Sequence, residues 1–535
     1  MLTVYTLIAI IFVAFSTLLG KLMFEVMSTR LASRKMAHVQ REKKVSAVWW
    51  PLFAYKTSAS QVNRRPIMRS HTLIQSYRSV GICALLLFLV GCGSTAPQSA
   101  APSPTPASTP PGQSTAQTAP THNADWTTYH YDNTRAGMLP DMPNPHQLSV
   151  AWKSQLDGAV YAEPLVIGDS VIVATEGDTL YALDRHTGRV QWHVNVGNPV
   201  SLSTLPCGNI DPLGITGTPV YDPASHLVFA VAEIQGPSHI LVGVDVNTGK
   251  IRMRRVVDPA GIEPKYHQQR SALALSQGMV YITYGGLYGD CGNYHGWVIA
   301  SRTDGNGSLL TYKVPTAREG GIWAPPGPVI DSKGDLYVAV GNGEATQGDW
   351  DHTDSVLRLS SSLKLEDGFA PTQWQQDNAN DADLGSMSPV LLSNGLIVSV
   401  GKSGETYLLH ANALGGVGGQ IQKQSICPSY GGAASTGTEL FLPCTDGLRQ
   451  IKVGDGPSLN VGWQAHGQVT GSPTIGGHTV YSLDRGGTLY ALNIADGSVR
   501  ATASVGQTSR FASPTLSGKQ IFVGTMAGVV AVSIS

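Results

Sequence analysis

The stretch Thr179–Trp192, "TLYALDRHTGRVQW", returns 309 residues later as "TLYALNIADGSVRA", and looser copies lie between. Within one copy, Leu165–Ile167, Val171–Ala174 and Thr179–Leu183 are short runs of β-branched and aromatic residues separated by Gly-Asp or Glu-Gly-Asp, which turn hairpins. After "RHTG", the segment "RVQWHVNV" makes a fourth strand. Eight units open in this way, from "EPLVIGDSVIV" to "ASPTLSGKQIFVG", and the 350 residues between Pro164 and Pro514 give a mean period of 50. A four-stranded sheet at that period predicts an all-β, eight-bladed β-propeller, because one blade alone exposes apolar faces on both sides and a closed ring buries them. The last unit, from Phe511, ends after about three strands. The segment Leu148–Leu156, "LSVAWKSQL", resembles the outer strand "NVGWQAHG" at Asn460–Gly467. The N-terminal strand is therefore expected to complete the last blade and close the ring, with the propeller spanning 125–535.

The copy "LYALDRHTGRVQW" resembles the repeat of the quinoprotein-type (PQQ-type) propellers. In that superfamily the Trp of one blade docks on a neighbour's turn, and eight blades are common. The copies decay elsewhere: "GVDVNTGKIRM" lacks the Trp and "ALNIADGSVRA" has Ala in its place. The resemblance implies two competing functions. One branch contains dehydrogenases that hold pyrroloquinoline quinone (PQQ) and Ca²⁺ in the central funnel. The other contains cofactor-free scaffolds, such as the propeller lipoprotein of the outer-membrane barrel-assembly machinery.

The enzyme branch makes definite claims on this chain. "LYVAVGNGEATQGDWDHTDSVLRL" is similar to the dehydrogenase stretch in which an Asn ligates calcium and a later Asp acts as base, which assigns Asn342 and Asp349 to those roles. Ca²⁺ takes hard oxygen ligands and can polarise a quinone carbonyl while a carboxylate removes an alcohol proton. Glu233 is the candidate for the remaining metal carboxylate, and Trp323 of "GGIWAPPGPV" for a cofactor-facing aromatic. The chain departs from that branch in having no Cys-Cys pair and no Cys-x-x-Cys-His, and in spacing Asn342 and Asp349 only seven apart. Asp349, Asp351, His352, Asp354, Asp377, Asp381 and Asp383 form an acidic group without EF-hand spacing, which reads as solvated loop. "DADLGSMSPV", which contains Asp383, leads into an inner strand and is expected near Asn342. The run around Lys402 lacks the helix a phosphate loop requires, and "LGGVGGQ" at 414–420 reads as a flexible hairpin tip. Trp297, in the Tyr- and Gly-rich 284–297, and Trp323 are candidates both for ligand contact and for packing between blades. The preferred reading is a monomeric binding scaffold without a cofactor, its face presented to a protein, glycan or small molecule. The alternative is a PQQ- and Ca²⁺-dependent alcohol or polyol dehydrogenase.

Charge and targeting signals set the compartment. Of the 36 Lys and Arg and 37 Asp and Glu, 12 and 2 lie in residues 1–92, leaving 24 and 35 in the body and a net charge there of −11. An acidic body lacks the basic footprint that nucleic-acid binding needs. Residues 68–92 carry a basic start, a short apolar run and "LVGC", which resembles a bacterial lipobox and makes Cys92 the expected lipidation site. Residues 1–67 are either an extra membrane helix with a basic segment or sequence upstream of a true start at Met68. Residues 93–124, rich in Pro, Ser, Thr and Ala, are expected to be a disordered tether. The location implied is extracytoplasmic, at the cell surface or in a periplasm. Four cysteines remain in the body, and an even number in such a compartment suggests two disulfides in one of three pairings. Cys427–Cys444 with Cys207–Cys291 is the favoured one, and four buried thiols are the other outcome.

Overall fold

The repeated turn is a lock between blades. The carboxylate of Asp184 accepts hydrogen bonds from the N–H groups of His186 and Thr187 and from the Thr187 hydroxyl, and Gly188 N–H donates to Asp184 O. Gly188 has φ +70°, and a Cβ there would stand 2.4 Å from the ring of Trp152. The indole thus lies flat on a bare α-carbon while Trp152 Nε1 donates to Arg185 O at 2.9 Å. Trp192 seats in the same way on Gly249, with its N–H on Val246 O, and Trp463 on Gly497, with its N–H on Ile494 O. Where the repeat lacks its Trp, Met253 takes the position, its side chain 2.8 Å from where a Cβ on Gly305 would lie.

The computed structural model describes residues 125–454 and 456–535. Eight antiparallel sheets follow one another around an axis, built on 165–195, 220–256, 274–313, 329–370, 390–425, 434–464, 474–504 and 515–534. The eighth blade takes its outer strand from Leu148–Gln155, which runs antiparallel to Gly528–Ile534 with Leu148 opposite Ile534 and Gln155 opposite Gly528. The predicted ring and its clasp are both present. Inner strands such as Ser170–Ala174 and Leu227–Ile234 are buried nearly throughout, because blades cover them on both sides. Outer strands such as Val190–Asn195 alternate towards solvent. The apolar clusters therefore bridge adjacent blades: Ala174 and Leu180 of the first pack with Ala230 and Val242 of the second.

Three features depart from a plain ring. Residues 125–139 plug the axis at the end where the first two strands of each blade turn. Trp126 bridges Val166 of the first blade, Tyr221 N–H donates to Thr127 O, and Ile330 N–H donates to Asn133 O. Arg135 donates to Leu273 O and Pro328 O, His130 contacts Ala433 O and Ser513 Oγ, and Met138–Leu139 lie parallel to Ile475 and Gly476. Second, 414–420 is not a flexible tip. Gly416–Val417 pairs in parallel with Phe369–Ala370 of the preceding blade, and Leu414 is fully buried. Third, a helix, Trp374–Asn380, interrupts the all-β pattern between the fourth and fifth blades. Both favoured disulfides are formed, Cys207–Cys291 and Cys427–Cys444. The expectations for 1–67, 68–92 with Cys92, and 93–124 fall outside the described residues.

Replacing Trp152 with Ala should destabilise the ring by about 3–5 kcal/mol, the usual cost of emptying an indole site. Gly188→Ala should also destabilise, since its Cβ would collide with that indole. Denaturant unfolding of the two variants checks both; wild-type midpoints would overturn the assigned lock.

Candidate functional site

At the end of the axis opposite the plug, the loops joining second to third strands, and one blade to the next, surround a cavity of about 980 Å³. It does not run through the ring. Arg270 and Phe511 line both this cavity and a chamber of about 20 Å³ beneath it, where Tyr129 of the plug and Glu163 sit. The Arg270 guanidinium lies 4.6 Å from the Phe511 ring centre, and Trp323 meets Phe511 edge-on at 6.4 Å. These three side chains make an aromatic and cationic floor.

One wall is built by the fourth and fifth blades. Asn342 follows the second strand of the fourth blade and lines the cavity. The inserted helix holds the adjoining loop: Gly343 N–H donates to Asn378 Oδ1, and Asn378 Nδ2 donates to Ala345 O and Thr353 Oγ1. The chain leaves the helix at Asp381 with φ +52° and brings Asp383 to the cavity wall. Buried Asp354 accepts from Leu384 N–H and so fixes this loop from behind. Asp383 is 1% exposed, and Lys402 Nζ stands 3.1 Å from its Oδ2. Neither Asp383 oxygen has an aligned hydrogen bond among the described residues. Trp323 Nε1 and Asp383 Oδ2 approach the same spot, 3.3 and 3.2 Å from where a Cβ on Gly341 would lie. Burial raises the Asp383 carboxyl and the Lys402 charge holds it back, leaving it at about 6. A carboxyl at that value is ionised at neutral pH yet basic enough to accept a proton. Lys402 also lies 5.8 Å from the Trp323 ring centre.

The opposite rim is stapled. The disulfide Cys207–Cys291 joins the connection between the first two blades to the loop that carries Tyr288, which is 70% exposed, and Asp290, which accepts from Tyr294 Oη at 2.7 Å. Tyr430, Arg485 and Arg510 line the remaining side.

The structure brings together Asn342, Trp323, Asp383 and Lys402. It does not bring Asp349 or Glu233 to them. Asp349 is exposed and does not line the cavity, because the loop after Asn342 folds outwards against the helix. Glu233 is buried between blades, its Oε1 accepting from Gln269 N–H and its Oε2 3.7 Å from His239 Nε2. Burial opposes a charge on His239, but its 2.6 Å contact with Asp258 and the proximity of Glu233 outweigh burial and raise it to about 10. The acidic group divides: Asp351 caps its own turn, Asp354 is internal, and only Asp381 and Asp383 reach the cavity. Trp297 packs in the apolar cluster between the second and third blades. Among the described residues no group of three or more His, Cys, Asp or Glu is placed to hold a metal. Sequence reasoning missed Arg270 and Phe511. Their one signal is position, shared with Trp323 and Asp383: each stands a few residues before the first strand of a blade.

Two outcomes test these environments. Lys402→Met should move the Asp383 carboxyl above 6, read by carboxyl NMR titration; an unmoved value would show that the ion pair does not control it. His239 carries a raised value, so its stabilising contribution is complete below its unfolded value of about 6.5 and fades as pH rises through about 10. Unfolding free energy should fall over that window in wild type and less so in His239→Gln.

Comparison with known proteins places the fold. Over 235 residues the chain is 23% identical to a polyvinylalcohol dehydrogenase of Pseudomonas sp, a match covering 40% of this chain and 34% of that protein, so it spans about a third of that relative's length. The quinohemoprotein alcohol dehydrogenase of Comamonas testosteroni superposes with a TM-score of 0.60 at 15% identity, covering 78% of this chain and 81% of that one. BamB of Moraxella catarrhalis superposes at 0.52 and 14% identity, covering 72% and 100%. The family pattern described as outer membrane protein assembly factor BamB matches residues 146–337 and 451–534. Those two stretches are more than half of the chain, which belongs to this family of PQQ-type β-propellers.

Proposed function

We propose that the funnel binds a planar, polyanionic redox cofactor of the pyrroloquinoline quinone class, in an extracytoplasmic, lipid-anchored propeller. The observation that carries this reading is the juxtaposition of Trp323, Lys402 and Asp383 above the Arg270–Phe511 floor, inside about 980 Å³. Trp323 offers a flat face to a fused ring system. Arg270, which has no carboxylate within ion-pair distance among the described residues, and Lys402 supply charge for carboxylates. Such residues fit the organic cofactor. They do not fit its calcium: Asp383 is committed to the Lys402 pair and Glu233 to the His239 pair, so neither completes a site with Asn342.

A bound quinone would supply two-electron oxidising power. The chain's own contribution is to orient and to move a proton. Asp383, at about 6, would accept the hydroxyl proton of an alcohol or polyol bound at the mouth, and Lys402 would keep that carboxylate ionised. The plug and the Arg270–Phe511 partition close the axis, so ligand and solvent share one opening. The two disulfides favour an oxidising compartment.

A second reading, a protein-binding scaffold without a cofactor, is favoured by the BamB family pattern. That pattern omits 338–450, the stretch that supplies Asn342, Asp383 and Lys402.

Titrating the protein with PQQ, with and without Ca²⁺, should quench tryptophan fluorescence with micromolar affinity. Trp323→Ala and Lys402→Ala should weaken binding at least about tenfold, equivalent to about 1.4 kcal/mol. Asp383→Asn should keep binding but lose dye-linked alcohol oxidation, whereas Asp349→Asn should change neither. Absence of quenching at millimolar PQQ would overturn the cofactor reading and leave the scaffold.

A further inference from the structure

The face that carries the funnel has a second depression. A lobe of about 300 Å³ opens beside it between the fifth-to-sixth-blade connection and the seventh-to-eighth-blade connection, sharing Tyr430, Arg485 and Arg510 with the main cavity. The rest of its wall is neutral and mostly polar, with Thr445, Gln468 and Thr470 offering hydroxyl and amide groups. No carboxylate lines it, and neither arginine has a carboxylate within ion-pair distance among the described residues. Arg510 lies 3.7 Å from the Tyr430 ring centre, which orders its guanidinium at the junction of the two cavities. Burial, with the neighbouring Arg485 charge as a further contribution, holds Arg510 below the ordinary arginine value.

Two neighbouring guanidiniums without a counter-charge are unfavourable, and the body around them carries a net charge of −11. An anion placed between them relieves that repulsion, and a carboxylate matches the guanidinium fork with two parallel hydrogen bonds. The uncharged donors and acceptors around it suit a ligand rich in hydroxyls. We infer that this lobe is a subsite for an acidic sugar chain: Arg485 and Arg510 hold the carboxylate of one residue, Thr445, Gln468 and Thr470 meet its hydroxyls, and the chain continues towards the funnel. The site uses the sixth and seventh blades with the connections on either side of them and stands whether or not the funnel takes a quinone.

Isothermal titration of the quinone-free protein with trigalacturonate, maltotriose and inorganic phosphate tests it. Trigalacturonate should bind with submillimolar affinity that weakens about tenfold in Arg485→Ala and again as salt is raised, and maltotriose should not bind. Arg485 is exposed, so its variant should unfold at the wild-type midpoint. No binding of trigalacturonate at 5 mM on an order-of-magnitude scale, equal binding of maltotriose, or undiminished binding in Arg485→Ala would overturn the subsite. Phosphate binding as tightly as trigalacturonate would replace the sugar chain with a simple anion. PQQ quenching, measured separately, reports on the funnel alone.

Discussion

An indole lying on a glycine that has no side chain joins one blade to the next, and the ring depends on that contact being repeated. The lock needs an Asp or Asn to tighten the turn, a residue able to hold positive φ, and a flat side chain on the neighbouring outer strand. Trp152 on Gly188, Trp192 on Gly249 and Trp463 on Gly497 meet all three requirements. Each contact buries a large apolar surface and also satisfies the indole N–H, so position and orientation are fixed together. Because the lock lies at the outer edge of the ring, the inner loops are free to vary in sequence without opening the sheets.

That freedom is used unevenly. The first, sixth and eighth blades keep the Trp lock, the second and seventh carry Met253 and Ala501 in its place, and the third to fifth have lost it altogether. The same arc holds the inserted helix, the Asn342 loop, Asp383 and Lys402. A connection that carries a helix can bring a buried carboxylate to the funnel wall, and the helix then stabilises itself by bonding back to the loop before it through Asn378. Asp383 is kept in an environment that raises its proton affinity, and only one cation restrains it. Such an arrangement costs stability and is usual where a protein binds or reacts.

Much of the architecture was legible because period and turn chemistry are local. Eight openings, a mean period of 50 and a missing outer strand specified the ring and its closure, and resemblance in the outer strands identified Leu148–Leu156 as the clasp. Asn342 and Trp323 were legible as cavity residues because each ends a recognisable strand or precedes one. The choice between Asp349 and Asp383 was not, since it depends on which way a loop folds after Asn342, and Asn378, 36 residues downstream, decides that. Glu233 lies near the end of the strand where the sequence placed it, but not at the funnel, because its partner His239 lies across a hairpin and holds it in the blade core. The plug was invisible for a similar reason. Residues 125–139 have no repeat to compare with, and their meaning comes from the seven blades they touch.

The eighth blade is assembled from both extremities of the propeller, and this imposes an order on biogenesis. Leu148–Gln155 emerges early and has no partner until Gly528–Ile534 has been synthesised, nearly 400 residues later. Through that interval its backbone edge is unsatisfied and open to mispairing with another chain. Vectorial folding from the N-terminus can stack blades but cannot finish the ring, so completion waits until Gly528–Ile534 has been made. A chaperone that shields one nascent strand would protect the entire molecule.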